Sequence, residues 1–338
     1  MQVARTFHIP SYLNASIPAE YRGIKRDEVR MMSLDTKGRI SHLRFHHLVD
    51  CLCPGDLLVL NNSRTIPAVL YGKKGKQTVE IRLSQRLSAQ EWEAVVIGMV
   101  AVGDQIMLPG DVQATIVAAG SEKPMVILRF SESSLEFIYR YGRPIRYEYI
   151  DTPWPLDAYQ TVYASVPGSV EMPSAGRAFT WGLLNQLQDK GIGIAFLQLH
   201  TGLGYYGNDQ WANPKFHHEA YAIPQKTAAL INETKKRGGR IIAVGTTVVR
   251  ALETVANDNG EVTAAEGTTN VYIRKDYKLR VADGLITGFH EPEASHLDLL
   301  TAFIQEDILL KAYQEALQQG YLWHEFGDMN LILPADLQ

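Results

Sequence analysis

Residues 241–253, Ile-Ile-Ala-Val-Gly-Thr-Thr-Val-Val-Arg-Ala-Leu-Glu, narrow the choice of fold more than any other stretch. Ile241–Val244 is a short apolar, β-branched run, the pattern of a strand buried on both faces. Gly245 breaks the run and can take the backbone angles of a tight strand-to-helix turn. Thr246 or Thr247 can cap a helix, and residues 248–256 read as its first turns. A helix that opens at a strand end leaves backbone N–H groups converging on one spot, which suits an anion or a carboxylate. Arg250 and Glu253 lie three residues apart and so share one face of that helix.

A chain of 338 residues can bury a sizeable core and divide into two domains. A hydrophobic content of 46% with 21% charged residues fits a globular protein rather than a disordered one. No apolar run approaches membrane-spanning length, and residues 1–7 carry no signal-peptide core, so a cytoplasmic monomer with no membrane partner is expected. Cys51 and Cys53 are the only cysteines. One intervening residue is poor geometry for a disulfide, and two thiols fall short of a structural zinc set even with His46 and His47 nearby. No metal is expected. The net charge of −4 does not advertise nucleic-acid binding. Basic residues nonetheless cluster at Lys73, Lys74 and Lys76, at Arg140, Arg143 and Arg146, and at Lys235, Lys236, Arg237 and Arg240. Such patches bind phosphates or simply face solvent.

Residues 29–34 and 39–45 read as two strands around the turn 35–38, and residues 45–52 as a helix. Between residues 56 and 130, short β-rich runs recur at 57–60, 66–71, 78–83, 92–98, 105–108, 112–118 and 125–130. That spacing predicts a small antiparallel barrel or sandwich. Helical periodicity returns at 135–141, and the segment 143–173 is irregular and rich in Pro and Tyr. Beyond it, helix 180–190, strand 192–199, helix 225–237, strand 241–244, strands 271–273 and 285–286, and helix 295–319 alternate. The expected fold is α/β: a discontinuous domain of residues 1–55 and 131–338, interrupted by a barrel at 56–130.

Chemistry-bearing residues fall at strand ends, where open α/β sheets hold ligands. His200-Thr201-Gly202-Leu203-Gly204-Tyr205 comes after one strand, Gly245-Thr246-Thr247 after another, and Phe289-His290-Glu291-Pro292 after a third. Gly202 and Gly204 let backbone approach a ligand closely, and two histidines at neighbouring strand ends can serve as acid and base.

These pieces, with Arg26-Asp27-Glu28-Val29-Arg30, Pro54-Gly55-Asp56-Leu57-Leu58-Val59-Leu60-Asn61-Asn62-Ser63-Arg64-Thr65-Ile66-Pro67-Ala68, Tyr159-Gln160-Thr161-Val162-Tyr163-Ala164 and Phe326-Gly327-Asp328, run nearly end to end. On them the chain resembles the S-adenosylmethionine:tRNA ribosyltransferase-isomerase family of queuosine biosynthesis. The resemblance implies an α/β domain interrupted by a small antiparallel β-barrel. It implies transfer and isomerisation of the ribosyl group of S-adenosylmethionine onto a 7-aminomethyl-7-deazaguanine base in tRNA, with release of adenine and methionine. On that chemistry His200 is the candidate base and His290 the candidate acid, with His217 or Glu219 as substitutes. Gly202, Gly204, Tyr205, Gly245, Thr246, Thr247, Arg250 and Phe289 are expected to hold S-adenosylmethionine, with Tyr206 a further aromatic face for its sulfonium. Asn62, Arg64, Tyr159, Gln160, Tyr163, Pro173, Gly176, Arg177, Phe179 and Asp328 are expected on the acceptor side.

The chain also departs from the family pattern. Where the family has Pro-Thr-Ala-Gly-Leu-His-Phe, residues 173–179 read Pro-Ser-Ala-Gly-Arg-Ala-Phe, so Ala178 replaces a histidine. The first histidine of a His-x-Met-His-x-Glu stretch is absent before His217-His218-Glu219. After His290 the family's Leu-Pro-Lys-Ser-Thr is Glu291-Pro292-Glu293-Ala294-Ser295, an acid for a base. These changes keep a second activity open: cleavage or rearrangement of S-adenosylmethionine with a small-molecule acceptor, or none, in place of tRNA. A non-catalytic RNA-binding protein is a third reading, against which His200, Arg250 and His290 stand.

Overall fold

The computed structural model describes residues 7–207, 210–292 and 295–335. Leu57–Asn61 is buried at every position, which only the middle of a covered sheet provides. It lies between Gly193–Leu199 and Ile241–Val244, with all three strands parallel. Gly284–Thr287 extends the parallel set beyond Ile241–Val244. Met329–Leu333, Arg30–Asp35 and Ile40–Arg44 continue one side of the sheet, Glu219–Ile223 and Ala265–Thr269 the other, for nine strands. Alternation sends successive side chains to opposite faces. Leu57 and Val59 join the core under the Thr246–Val255 and Glu306–Gln318 helices, while Leu58 and Leu60 join the core under the Trp181–Asp189 helix.

Six antiparallel strands close into a barrel between Val69 and Phe130. The boundary expected at residue 56 therefore moves. Residues 57–60 belong to the large sheet, because an uninterrupted apolar run has no polar face to offer the outside of a small barrel. Leu203 and Tyr206, from the loop after Gly193–Leu199, pack into the barrel core, and the Leu203 N–H donates to Ser84 Oγ (3.1 Å). The barrel thus pins the loop that carries Gly202 and Gly204.

Other boundaries differ for local reasons. The N-cap of the Thr246–Val255 helix is Gly245 rather than a threonine, with φ 95° and ψ 151° and no side-chain cap. Residues 271–273 form no strand; the polar run Ala265–Thr269 pairs instead, at the sheet edge where one side is solvated. The expected helix 295–319 is two, Ser295–Leu300 and Glu306–Gln318. Thr301 Oγ1 bonds back to the Asp298 carbonyl (2.6 Å), and Gln305 turns to extended backbone before the second helix. Residues 45–52 hold a 3₁₀ turn, Phe45–His47, and one short turn, Leu48–Cys51. Among the described residues no helix is long and apolar enough to cross a membrane.

Candidate active site

The strands Leu57–Asn61, Gly193–Leu199, Ile241–Val244 and Gly284–Thr287 are parallel, so their carboxyl ends share one edge. Two adjoining chambers open there, of about 320 and 240 Å³. Together they reach the size of sites for small organic ligands, ~300–1,000 Å³. Tyr147, Glu171, Thr201, Trp211, Thr247 and His296 border both.

Asn61 holds this edge together. Its side chain exchanges hydrogen bonds with the Leu199 backbone, donating to the carbonyl (2.8 Å) and accepting from the N–H (3.1 Å). It replaces a pair of ladder bonds where the two strands part. Gly245 turns the chain from strand to helix in a region of backbone space kept almost wholly for glycine. The Thr246 and Thr247 N–H groups open the helix, beyond reach of any intrahelical acceptor, and both residues line the larger chamber.

In the smaller chamber Glu219 is buried and fully engaged. Oε1 accepts from the Gly202 N–H (3.2 Å) and lies 3.2 Å from His217 Nε2; Oε2 accepts from Arg250. Burial works to raise the Glu219 carboxyl, but Arg250 and His217 outweigh it and hold it down to about 2. For His217 burial opposes the charge, and Glu219 more than offsets it, so its pKa is raised. These three form a charged cluster with no proton to spare on Glu219. Gly202 fits because a Cβ there would stand 2.2 Å from Gln85 Nε2 and 2.9 Å from the His217 ring.

The larger chamber is acidic and aromatic. Glu148, Glu171, Glu291 and Glu325 line it with Tyr147, Tyr149 and Tyr205, and among the described residues no lysine or arginine does. Glu171 accepts from Tyr147 and from the Gly204 N–H (2.7 Å); its burial nonetheless raises its pKa. Glu291 pairs with His324 Nδ1 at 2.9 Å, which outweighs burial and lowers its pKa. His324 stacks on Tyr149 and holds a left-handed φ of 72°. Glu325 Oε2 is buried and has no hydrogen-bond partner, and burial pushes this carboxyl up to about 7.

Several expected assignments change here. His200 borders neither chamber: its Nδ1 lies 2.7 Å from Ser63 Oγ, and its ring packs on Gly168. The loop turns after Leu199, so Thr201 rather than His200 lines the cavity. His290 does line the larger chamber, bonded to Thr287 Oγ1 (2.7 Å) and stacked on His296. Burial, reinforced by His296, lowers it to about 3, so the neutral imidazole is favoured there. Phe289 touches the chamber but is buried within a cluster of Tyr313, Tyr321 and Trp323. Tyr206 faces the barrel core and donates to Glu122 (2.9 Å), leaving Tyr147, Tyr149, Tyr205 and Trp211 as aromatic side chains on the chamber walls.

Of the expected acceptor residues, only Pro173 lines a chamber. Gln160 clamps both backbone groups of Thr65, and Asp328 accepts from the Arg30 and Leu322 N–H groups. Arg177 is buried, donating to Glu20 and the Ala158 carbonyl. Tyr159 packs on Phe326, and Phe179 and Tyr163 sit in the core, with Gly176 against the Tyr163 hydroxyl. Asn62 bonds Ser165 and Gln198; Arg64 lies on the short Ser63–Thr65 strand. Their polar groups build the walls behind the site. Glu171 and Glu325 lie outside the sequence motifs, and Asn61 lies within the 54–68 stretch without being expected at the site. For Glu325 the adjacent Phe326-Gly327-Asp328 is the one local signal.

The arrangement defines an α/β enzyme with a two-chamber site at the strand ends, beside a loop that an inserted barrel anchors. The chain matches the queuosine biosynthesis protein family model over residues 4–332. It is 38% identical over 334 residues to S-adenosylmethionine:tRNA ribosyltransferase-isomerase of Thermotoga maritima, covering 97% of this chain and 98% of that protein. The enzyme of the same name from Carboxydothermus hydrogenoformans is 38% identical over 339 residues, with 97% and 98% covered. The crystal structure of S-adenosylmethionine tRNA ribosyltransferase from Thermotoga maritima superposes with a TM-score of 0.56 at 32% identity, covering 98% of this chain and all of that one. The chain therefore belongs to the queuosine biosynthesis protein family, and it is an enzyme of the transferase–isomerase kind.

Proposed function

We propose that this enzyme takes S-adenosylmethionine as ribosyl donor and transfers and isomerises the ribosyl group onto a 7-aminomethyl-7-deazaguanine base of tRNA, releasing adenine and methionine. The observation that carries this reading is the larger chamber: a helix start beside four carboxylates and aromatic faces, with no lysine or arginine among its described lining. The Thr246 and Thr247 N–H groups suit the donor's carboxylate, and the acidic, aromatic walls suit its sulfonium. A phosphate-bearing donor would meet the wrong charge there. The second chamber, across Tyr147 and Glu171, gives a reacting partner its own space.

The basic clusters divide on inspection. Lys235 donates to the Gly260 and Arg280 carbonyls, Arg237 pairs with Glu233 and Arg240 with Asp56. Lys73, Lys76 and Arg143 are exposed around the barrel, as are Arg140, which pairs with Glu136, and Arg146, which donates to the Asp151 carbonyl (2.6 Å); the Arg143 guanidinium lies 5.8 Å from the centre of the exposed Tyr71 ring. That surface is suited to a phosphate backbone.

A second reading rests on Ala178 and Glu291, two positions where the chain leaves the family pattern. Ala178 borders a small cavity shared with Glu325, and Glu291 lines the larger chamber. On that reading S-adenosylmethionine reacts with a small acceptor or none. Incubation with S-adenosylmethionine, with and without precursor-bearing tRNA, separates the two by mass analysis of adenine, methionine and base. Adenine release that requires tRNA and yields modified base supports the first reading. Release without tRNA supports the second, and no release under either condition overturns both.

A further inference from the structure

We propose that Glu325 is the charge partner of an onium centre on the small molecule bound in the larger chamber, so that the site selects a cationic ligand over its neutral counterpart. This rests on the reading that the chamber takes S-adenosylmethionine.

The first ground is an unmet bond. Buried carboxylate oxygens in folded proteins nearly always have a donor or a cation. Glu325 Oε2 is buried without one. The other half-buried or buried carboxylates of this chamber are engaged: Glu171 by Tyr147 and Gly204, Glu291 by His324.

The second ground is position. Glu325 borders the chamber and two small cavities behind it, so its side chain stands at the boundary of ligand space. His324, which precedes it, is fixed by Glu291, by Asn14 (3.0 Å) and by the Tyr149 ring. That arrangement maintains a left-handed backbone at a non-glycine residue, a conformation met at sites where geometry is held for function.

The third ground is the surrounding charge. Toward the chamber Glu325 has His324, Glu291, Glu171, Tyr147 and Tyr149 for neighbours, with Tyr159 behind. On the opposite side, Arg26 and Arg177 pair with Glu20, and Asp328 accepts two backbone N–H groups. No protein cation is committed to Glu325 among the described residues. Its burial-raised pKa of about 7 leaves it partly protonated at neutral pH, so an arriving cation expels a proton.

Two parts of the ligand carry positive charge, the sulfonium and the α-ammonium. Titration calorimetry at pH 7 on the wild type, Glu325→Gln and Glu325→Asp, with S-adenosylmethionine and neutral-sulfur S-adenosylhomocysteine, tells them apart. Glu325→Gln is expected to lose roughly tenfold or more in affinity for S-adenosylmethionine. Unchanged S-adenosylhomocysteine binding assigns the sulfonium; equal loss for both assigns the α-ammonium. Glu325→Asp, which keeps the charge, should recover part of the loss. Repeating the titration in buffers of different ionisation enthalpy should show proton release in the wild type and none in Glu325→Gln. A Glu325→Gln protein that melts cooperatively and binds both ligands like the wild type overturns the proposal while leaving the donor assignment standing. A wild type that binds neither ligand overturns the donor assignment and this proposal with it. Glu325→Gln that fails to fold, with Glu325→Asp folded and binding normally without proton release, also overturns it.

Discussion

The smaller chamber buries Glu219 beside Arg250, His217 and the Gly202 N–H, whereas the larger chamber buries Glu325 Oε2 with no hydrogen-bond partner. Both are glutamates in the same cleft, yet one is held down to about 2 and the other pushed up to about 7. Burial pushes both carboxyls the same way; the partners decide which remains ionised. The saturated cluster has the character of a scaffold, and the unsatisfied carboxyl that of a group left for a ligand.

The sharpest way to break this contrast is to strip the scaffold. Arg250→Ala leaves Glu219 buried and uncompensated, and should cost about 3–5 kcal/mol in urea unfolding. A loss under about 1 kcal/mol would mean that Glu219 does not depend on its partner.

The pH dependence comes next, because the two carboxylates have opposite signs. The Glu219 pKa is lower in the folded state, so its stabilisation is complete above the ordinary value of 4.5 and is lost as pH falls toward about 2. The Glu325 pKa is higher when folded, so stability declines as pH rises from 4.5 through about 7 and then levels off. Glu325→Gln should remove that decline, a difference of up to roughly 3 kcal/mol from the wild type across the window. Chemical denaturation at pH 4.5, 6 and 8 reads it, and parallel curves for the two proteins would refute the assignment.

Gly245→Ala tests the helix start that both chambers share. A Cβ there meets Ala175 Cβ and Thr247 Oγ1 at 3.3 Å, on a backbone with φ 95°. The expected loss is about 1–3 kcal/mol in thermal unfolding, with weaker S-adenosylmethionine binding.

The smallest effect concerns the histidine outside the chambers. Ser63→Ala removes the hydroxyl that His200 and Ser169 share, at a cost of about 1 kcal/mol. Adenine release at saturating S-adenosylmethionine should be unaffected. A collapse in turnover at normal affinity would return His200 to the chemistry.

Local pattern determined the pieces. The apolar runs within Ile241–Val244 and Leu57–Asn61, the period of the Gln225–Lys236 helix and the close-spaced strands before Phe130 needed only neighbouring residues to be read. The strand-end placement of Gly202, Gly245 and His290 came from the same periodicity, since a parallel sheet puts all such ends on one edge. Tertiary structure decided what those ends do. Whether residues 57–60 paired with the barrel or the sheet depended on strands far away in sequence. His200 turns to Ser63, 137 positions distant, and Arg250 reaches Glu219 across 31. Glu325 owes its state to burial with Oε2 unpaired, which no spacing motif encodes. Backbone periodicity is set by short-range sterics and hydrogen bonding. A buried group's charge is set by whatever the fold brings within a few ångströms of it.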